Sequence, residues 1–251
     1  MNQVSEHRWT ASDGIELAWR EVGDGRPVVL VHGLFSDAYI NWIKFGHAAK
    51  LAAGGFRVIM PDLRAHGHSA RPHDPAAFPN GILGRDLMEL VGHLSLSDYD
   101  LGGFSLGART TVQAIGEGLR PRCAILAGMG LDGLTGWQGR MHFFVDAIAN
   151  FETSARGDRH WLAIQFMRTT KVDRIAAGLL LGTFSDAHPE WLAAFAMETL
   201  VLCGTDDRDN GSAPDLVAAL PRAHYVAVPG THMSSVTRPE FGDALVSFLS
   251  A

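Results

Sequence analysis

The chain has 251 residues, 47% of them hydrophobic and 19% charged, a balance expected of a soluble globular protein with a sizeable core and not of a disordered one. Its net charge of −6, with basic residues scattered rather than striped, argues against a nucleic-acid backbone or an anionic membrane surface as partner. No run approaches the roughly 18 apolar residues needed to span a bilayer, and residues 1–10 lack the apolar core of a signal peptide, so a cytoplasmic address is expected.

Segments 6–10 and 15–22 alternate apolar and polar residues around Asp13-Gly14, the pattern of a β-hairpin. The next runs, 27–31, 56–60, 99–103 and 122–127, are continuously apolar, as strands buried on both faces of a parallel sheet become. Between them, 82–96 carries Leu83, Leu87, Leu90, Val91 and Leu94 at helical spacing. The alternation stops over 130–197, which reads as mostly helical and holds Trp137, Phe143, Phe144 and Trp161 among other aromatics. It resumes with strands at 199–203 and 224–228, a helix near 215–220 and a closing helix over 241–248. The expected fold is therefore α/β: a doubly wound, mostly parallel sheet with an N-terminal antiparallel hairpin. Its core comprises 1–129 and 198–251, with 130–197 as a helical cap insertion over the C-terminal edge of the sheet. Cys123 and Cys203 each fall inside an apolar run and read as inert packing residues rather than a disulfide framework.

The segment carrying chemistry is Gly103-Phe104-Ser105-Leu106-Gly107, directly after an expected strand and before an expected helix. So sharp a strand-to-helix turn strains its central residue and needs small neighbours on either side. It leaves a hydroxyl exposed at a helix N-terminus, where a developing oxyanion is stabilised. A phosphate-binding loop would need Lys where Ala108 stands, and a dinucleotide fingerprint would need Gly at Phe104. Serine requires a base to become nucleophilic, and a histidine base requires an orienting carboxylate. Downstream, one strand runs into Gly204-Thr205-Asp206-Asp207 and the next into Pro229-Gly230-Thr231-His232. Spacing from Gly204 favours Asp207 over Asp206 and Asp209, while Asp132 is an alternative position for the acid. A second oxyanion donor is expected from the Leu34 amide, after the strand that ends in His32-Gly33, to pair with that of Leu106.

These motifs, together with Pro61-Asp62-Leu63-Arg64-Ala65-His66-Gly67-His68-Ser69, resemble those of the α/β-hydrolase superfamily from the first parallel strand to the last. The resemblance implies Ser105 as nucleophile, His232 as base, Asp207 as its orienting acid, Leu34 and Leu106 as oxyanion amides, and 130–197 as the cap shaping the pocket. The serine sets the chain apart from the dehalogenase and epoxide-hydrolase branches, which place aspartate at that turn. Ala65 replaces the first glycine of the family's Asp-x-Arg-Gly-His-Gly turn, so a positive φ there would be strained.

The activity this implies is hydrolysis of a carboxylic ester or lactone of a small, largely apolar molecule, with no cofactor, metal, nucleic acid or membrane involved. A carbon–carbon bond hydrolase of ring-fission products would use the same triad, and a non-catalytic scaffold binding a small molecule is the reading outside enzymology. Trp137, Phe143, Phe144 and Trp161 are candidate pocket residues. His66, His68 and His73 superficially resemble a metal-ligand run, although the family's turn accounts for them structurally. His32 reads as a structural residue beside the oxyanion loop, and Arg109 as facing solvent or a structural acid rather than a substrate carboxylate.

Overall fold

A computed structural model describes residues 3–251; Met1 and Asn2, at the start of the segment read as lacking a signal-peptide core, lie outside it. Eight strands form one sheet: β1 (Ser5–Thr10), β2 (Glu16–Val22), β3 (Arg26–Val31), β4 (Phe56–Asp62), β5 (Asp100–Phe104), β6 (Cys123–Ala127), β7 (Glu198–Gly204) and β8 (Ala223–Val228). Their order across the sheet is β1-β2-β4-β3-β5-β6-β7-β8. The β1/β2 and β2/β4 pairs are antiparallel and all later pairs are parallel. The expected hairpin and mostly parallel sheet are both present.

Helices α1 (His47–Ala53), α2 (Ile82–His93) and α3 (Leu106–Gly116) lie among the first six strands. The segment between β6 and β7 contains no strand; it forms α4 (Leu131–Thr135), α5 (Trp137–Ala149), α6 (Trp161–Thr169), α7 (Arg174–Leu181) and α8 (Pro189–Ala193). Helices α9 (Ala213–Ala219), α10 (His232–Ser235) and α11 (Pro239–Leu249) complete the chain.

The continuous apolar runs are explained by burial on both faces. Along β3, Val28 and Leu30 join one core with Leu51 of α1 and Phe241 and Leu245 of α11. Val29 and Val31 join the opposite core with Leu87 and Leu90 of α2 and Val112 of α3. A third cluster joins Phe35, on the loop after β3, to Ala147 of α5, Ile164 and Met167 of α6 and Ala177 of α7. The helical segment thus rests on the same loop that was expected to supply an oxyanion amide. Among the described residues no helix is long and apolar enough to cross a membrane.

Candidate active site

The turn from β5 to α3 is as tight as the Gly-x-Ser-x-Gly spacing requires. Ser105 sits between them at φ 55° and ψ −111°, a region costing a non-glycine residue about 1–3 kcal/mol, and its N–H donates to the Ala127 carbonyl at 2.8 Å. A Cβ on Gly107 would overlap the Val31 carbonyl, and one on Gly103 would overlap the backbone of Gly107. The two glycines are therefore demanded by strand–helix approach, and the serine is the one side chain the turn lifts clear.

Two other strand ends bring the partners. Beyond β7, Asp207 lies buried, its Oδ1 accepting the Asp209 N–H at 3.0 Å. Beyond β8, Thr231 and Ser234 cap α10 reciprocally, fixing His232 at the helix start with its ring against Phe104. His232 Nδ1 is 2.9 Å from Asp207 Oδ2, and its Nε2 is 3.1 Å from Ser105 Oγ. The tautomer that donates Nδ1–H to the carboxylate leaves Nε2 to accept the Ser105 hydroxyl. Burial works to raise the Asp207 carboxyl, but the hydrogen bond and charge of His232, the Asp209 N–H and Arg140 hold it below its ordinary value. Asp206 is exposed beside its neighbour, Asp209 makes contact through its backbone, and Asp132 is exposed near Gly211. None of the three bonds to His232.

The loop after β3 leaves one amide free by occupying its neighbours. Gly33 N–H donates to Asn41 Oδ1 at 3.0 Å and Phe35 N–H to His66 Nε2 at 3.0 Å, while Leu34 N–H between them has no acceptor among the described residues. Leu106, the first residue of α3, likewise has no intrahelical acceptor for its N–H. His66 and His32 are both wedged between a backbone donor and a carbonyl. His66 Nδ1 donates to the Arg64 carbonyl; His32 accepts Leu63 N–H at Nε2 and donates from Nδ1 to the Gly33 carbonyl. Burial pushes both rings well below the ordinary histidine range, so each stays neutral and structural. The three histidines of the 66–73 run diverge: His68 meets Glu6 and His73 meets Asp173.

Ser105, Leu34 and Leu106 border a cavity of about 30 Å³ whose wall includes Trp137, Phe144 and Arg140 of α5. Of the four candidate pocket aromatics, Trp137 and Phe144 are thus on the wall. Phe143 instead lies against His160 and Arg159, and Trp161 opens α6 away from the cavity. Positions 137, 140 and 144 share one helical face and 143 does not, a periodic signal already present in the sequence. Arg109, Met129, Gly133, Phe184 and Asn210 complete the wall; sequence spacing pointed to none of the last four. Arg109 is buried rather than solvent-facing. A larger cavity of about 420 Å³ lies behind Asp207 among Asn210, Ser212 and Tyr225 and touches neither Ser105 nor His232, so size does not locate the chemistry here.

Ser105, His232 and Asp207 thus form one hydrogen-bonded series beside the free amides of Leu34 and Leu106. Residues 28–241 match the model described as the alpha/beta hydrolase family, and the chain belongs to that family. It is 34% identical over 110 residues to a non-heme chloroperoxidase, CPO-A1, of Kitasatospora aureofaciens; the match spans 43% of this chain and only 38% of that relative. Its fold resembles an esterase from Exiguobacterium antarcticum (TM-score 0.80, 19% identity, 97% of this chain and 99% of that one). It also resembles an enol-lactonase from Burkholderia xenovorans LB400 (TM-score 0.74, 24% identity, 98% of this chain and 100% of that one). At those identities the structural likeness speaks for the fold.

Proposed function

We propose that the chain hydrolyses a carboxylic ester or lactone of a small molecule through an acyl-enzyme on Ser105, beneath a cap formed by residues 130–197. The observation carrying this reading is the hydrogen-bonded series Ser105–His232–Asp207. Ser105 Oγ attacks the carbonyl carbon as its proton passes to His232 Nε2, and Asp207 steadies the imidazolium through Nδ1–H. The carbonyl oxygen, now negative, accepts from Leu34 and Leu106 N–H; losing one such donor typically costs about 3–4 kcal/mol. Collapse expels the alcohol, which takes the proton back from His232. Water, deprotonated by the same imidazole, then adds to the acyl carbon and frees Ser105 and the acid. The esterase and lactonase likenesses make these bonds the first to assay.

The test is labelling with a fluorophosphonate probe, peptide mapping by mass spectrometry, and turnover of short p-nitrophenyl esters. Modification at Ser105 that disappears in His232→Ala is expected, with Ser105→Ala lowering kcat roughly 10⁴-fold or more. A Ser105→Ala protein hydrolysing these esters as fast as wild type overturns the proposal.

A further inference from the structure

Arg109 lies four residues beyond Ser105 and so stands one helical turn above it on the same face of α3. It is buried, yet its hydrogen bonds go only to the carbonyls of Ser185 (2.6 Å) and Leu134 (3.3 Å). Its guanidinium stacks 5.4 Å over the Trp137 ring. Across the cavity, Arg140 donates to the Asp209 carbonyl. Neither guanidinium forms an ion pair with a carboxylate among the described residues. Asp186, the acid whose charge acts on Arg109, accepts the Trp137 backbone N–H at 2.7 Å. Trp137 Nε1, on the same wall, is buried with no hydrogen-bond partner. Arg109, Arg140 and the Trp137 indole therefore adjoin Ser105 with no carboxylate bonded directly to them, although the charge of Asp186 acts on Arg109 and those of Asp209 and Asp207 on Arg140. A buried cation without a directly bonded carboxylate is costly: burial pushes the Arg109 guanidinium down to about 10, the charge of Asp186 opposing and that of Arg140 adding, so it stays charged at neutral pH.

We infer that Arg109, Arg140 and Trp137 Nε1 form a carboxylate-binding subsite, and that the substrate is an ester or lactone bearing a second, ionised carboxylate. This rests on the hydrolase reading and narrows it: the pocket pairs an apolar wall, Phe144, Phe184 and Met129, with an anion clamp. Guanidinium groups suit a carboxylate because their N–H forks match its two oxygens. A purely structural Arg109, tying α3 to the 134 and 185 backbone, would not distinguish a charged substrate from a neutral one.

The experiment compares kcat/KM for mono-p-nitrophenyl esters of succinic, glutaric and adipic acids with the same esters methyl-capped at the free acid. At one chain length or more the acid is expected to be preferred roughly tenfold, the scale of hydrogen bonds to a charged group. Arg140→Gln and Arg109→Met should bring that ratio toward one, and Arg109→Lys should restore part of it. A loosened Asp209 loop would slow both esters alike and leave the ratio in place. Turnover of both series without charge preference, or a preference unchanged in Arg140→Gln, overturns the inference while leaving the hydrolase intact. If neither series is turned over, the hydrolase reading fails, and the subsite is judged by melting temperature with monomethyl glutarate against dimethyl glutarate. A rise with the charged compound alone, abolished in Arg140→Gln, upholds it; equal or absent shifts overturn it.

Discussion

The rim of the sheet and the helices lying between β6 and β7 reach the same cavity by different physical routes. At the rim, backbone geometry decides: Ser105, Asp207 and His232 each follow the end of a parallel strand, where close approach leaves room for little but glycine. In the helical segment, side-chain packing decides. Trp137 and Phe144 face Ser105 because α5 is seated on Phe35, and Phe143, one residue earlier, is turned toward His160. Constraints on the first region are local in sequence; those on the second depend on how a helix is rotated against a distant loop. The positions of Ser105, Asp207 and His232 are therefore fixed more rigidly by sequence than the wall around them.

Glycine-to-alanine substitutions test that contrast most strongly. Gly107→Ala forces a methyl into the Val31 carbonyl and should cost more than about 3 kcal/mol or abolish folding. Gly139, inside α5, has open space around it, and Gly139→Ala should gain up to about 1 kcal/mol from helix propensity. Urea midpoints measure both, and losses of similar size would remove the distinction.

Next in size comes acid sensitivity beneath the rim. Burial keeps His32 and His66 neutral below their ordinary value of 6.5. The unfolded chain takes up protons as pH falls through 6.5 while the folded chain does not, so stability is full above that pH and declines below it. Glutamine can accept the Phe35 N–H but does not titrate, so His66→Gln should flatten the decline below pH 6.5 measured by urea midpoints. An unchanged slope would mean the pair does not govern it. Helical wall residues should act on substrate instead: Phe144→Ala is expected to raise KM for an aryl ester roughly tenfold, the effect of one lost apolar contact surface, and Phe143→Ala to leave it near wild type. Equal effects in steady-state kinetics would mean the wall is not set by helical face.

Most of the sheet was legible because strands buried on both faces lose alternation. The turn at Ser105 and both downstream turns were legible because their glycines sit at fixed offsets from strand ends. Boundaries moved by one to three residues: β5 runs on through Phe104, and α2 stops at His93 rather than at 96. The wall was legible only in part. Trp137 and Phe144 stand out as aromatics, but Phe184, Met129 and Asn210 arrive from separate loops and helix ends with no shared period. Arg109 read as facing solvent or a structural acid because cations usually do; instead it is buried against the Leu134 and Ser185 carbonyls.

The smallest effect concerns Ala65, where the turn carrying His66 departs from the glycine that the family resemblance implies. Ala65 does adopt positive φ, 69°, and is buried in the core beside α2. Glycine there would relieve about 1–2 kcal/mol of left-handed strain. It would also forfeit about 0.8 kcal/mol of methyl burial and about 0.4–1 kcal/mol through greater unfolded-state freedom. These nearly cancel, so Ala65→Gly should lie within about 0.5 kcal/mol of wild type by urea denaturation. Ala65→Val, adding bulk and β-branching at the same φ, should lose about 2 kcal/mol or more. A gain above 2 kcal/mol for the glycine would show that strain dominates. The turn would then belong with the backbone-determined rim, whereas near-neutrality places it where packing and backbone cost are balanced.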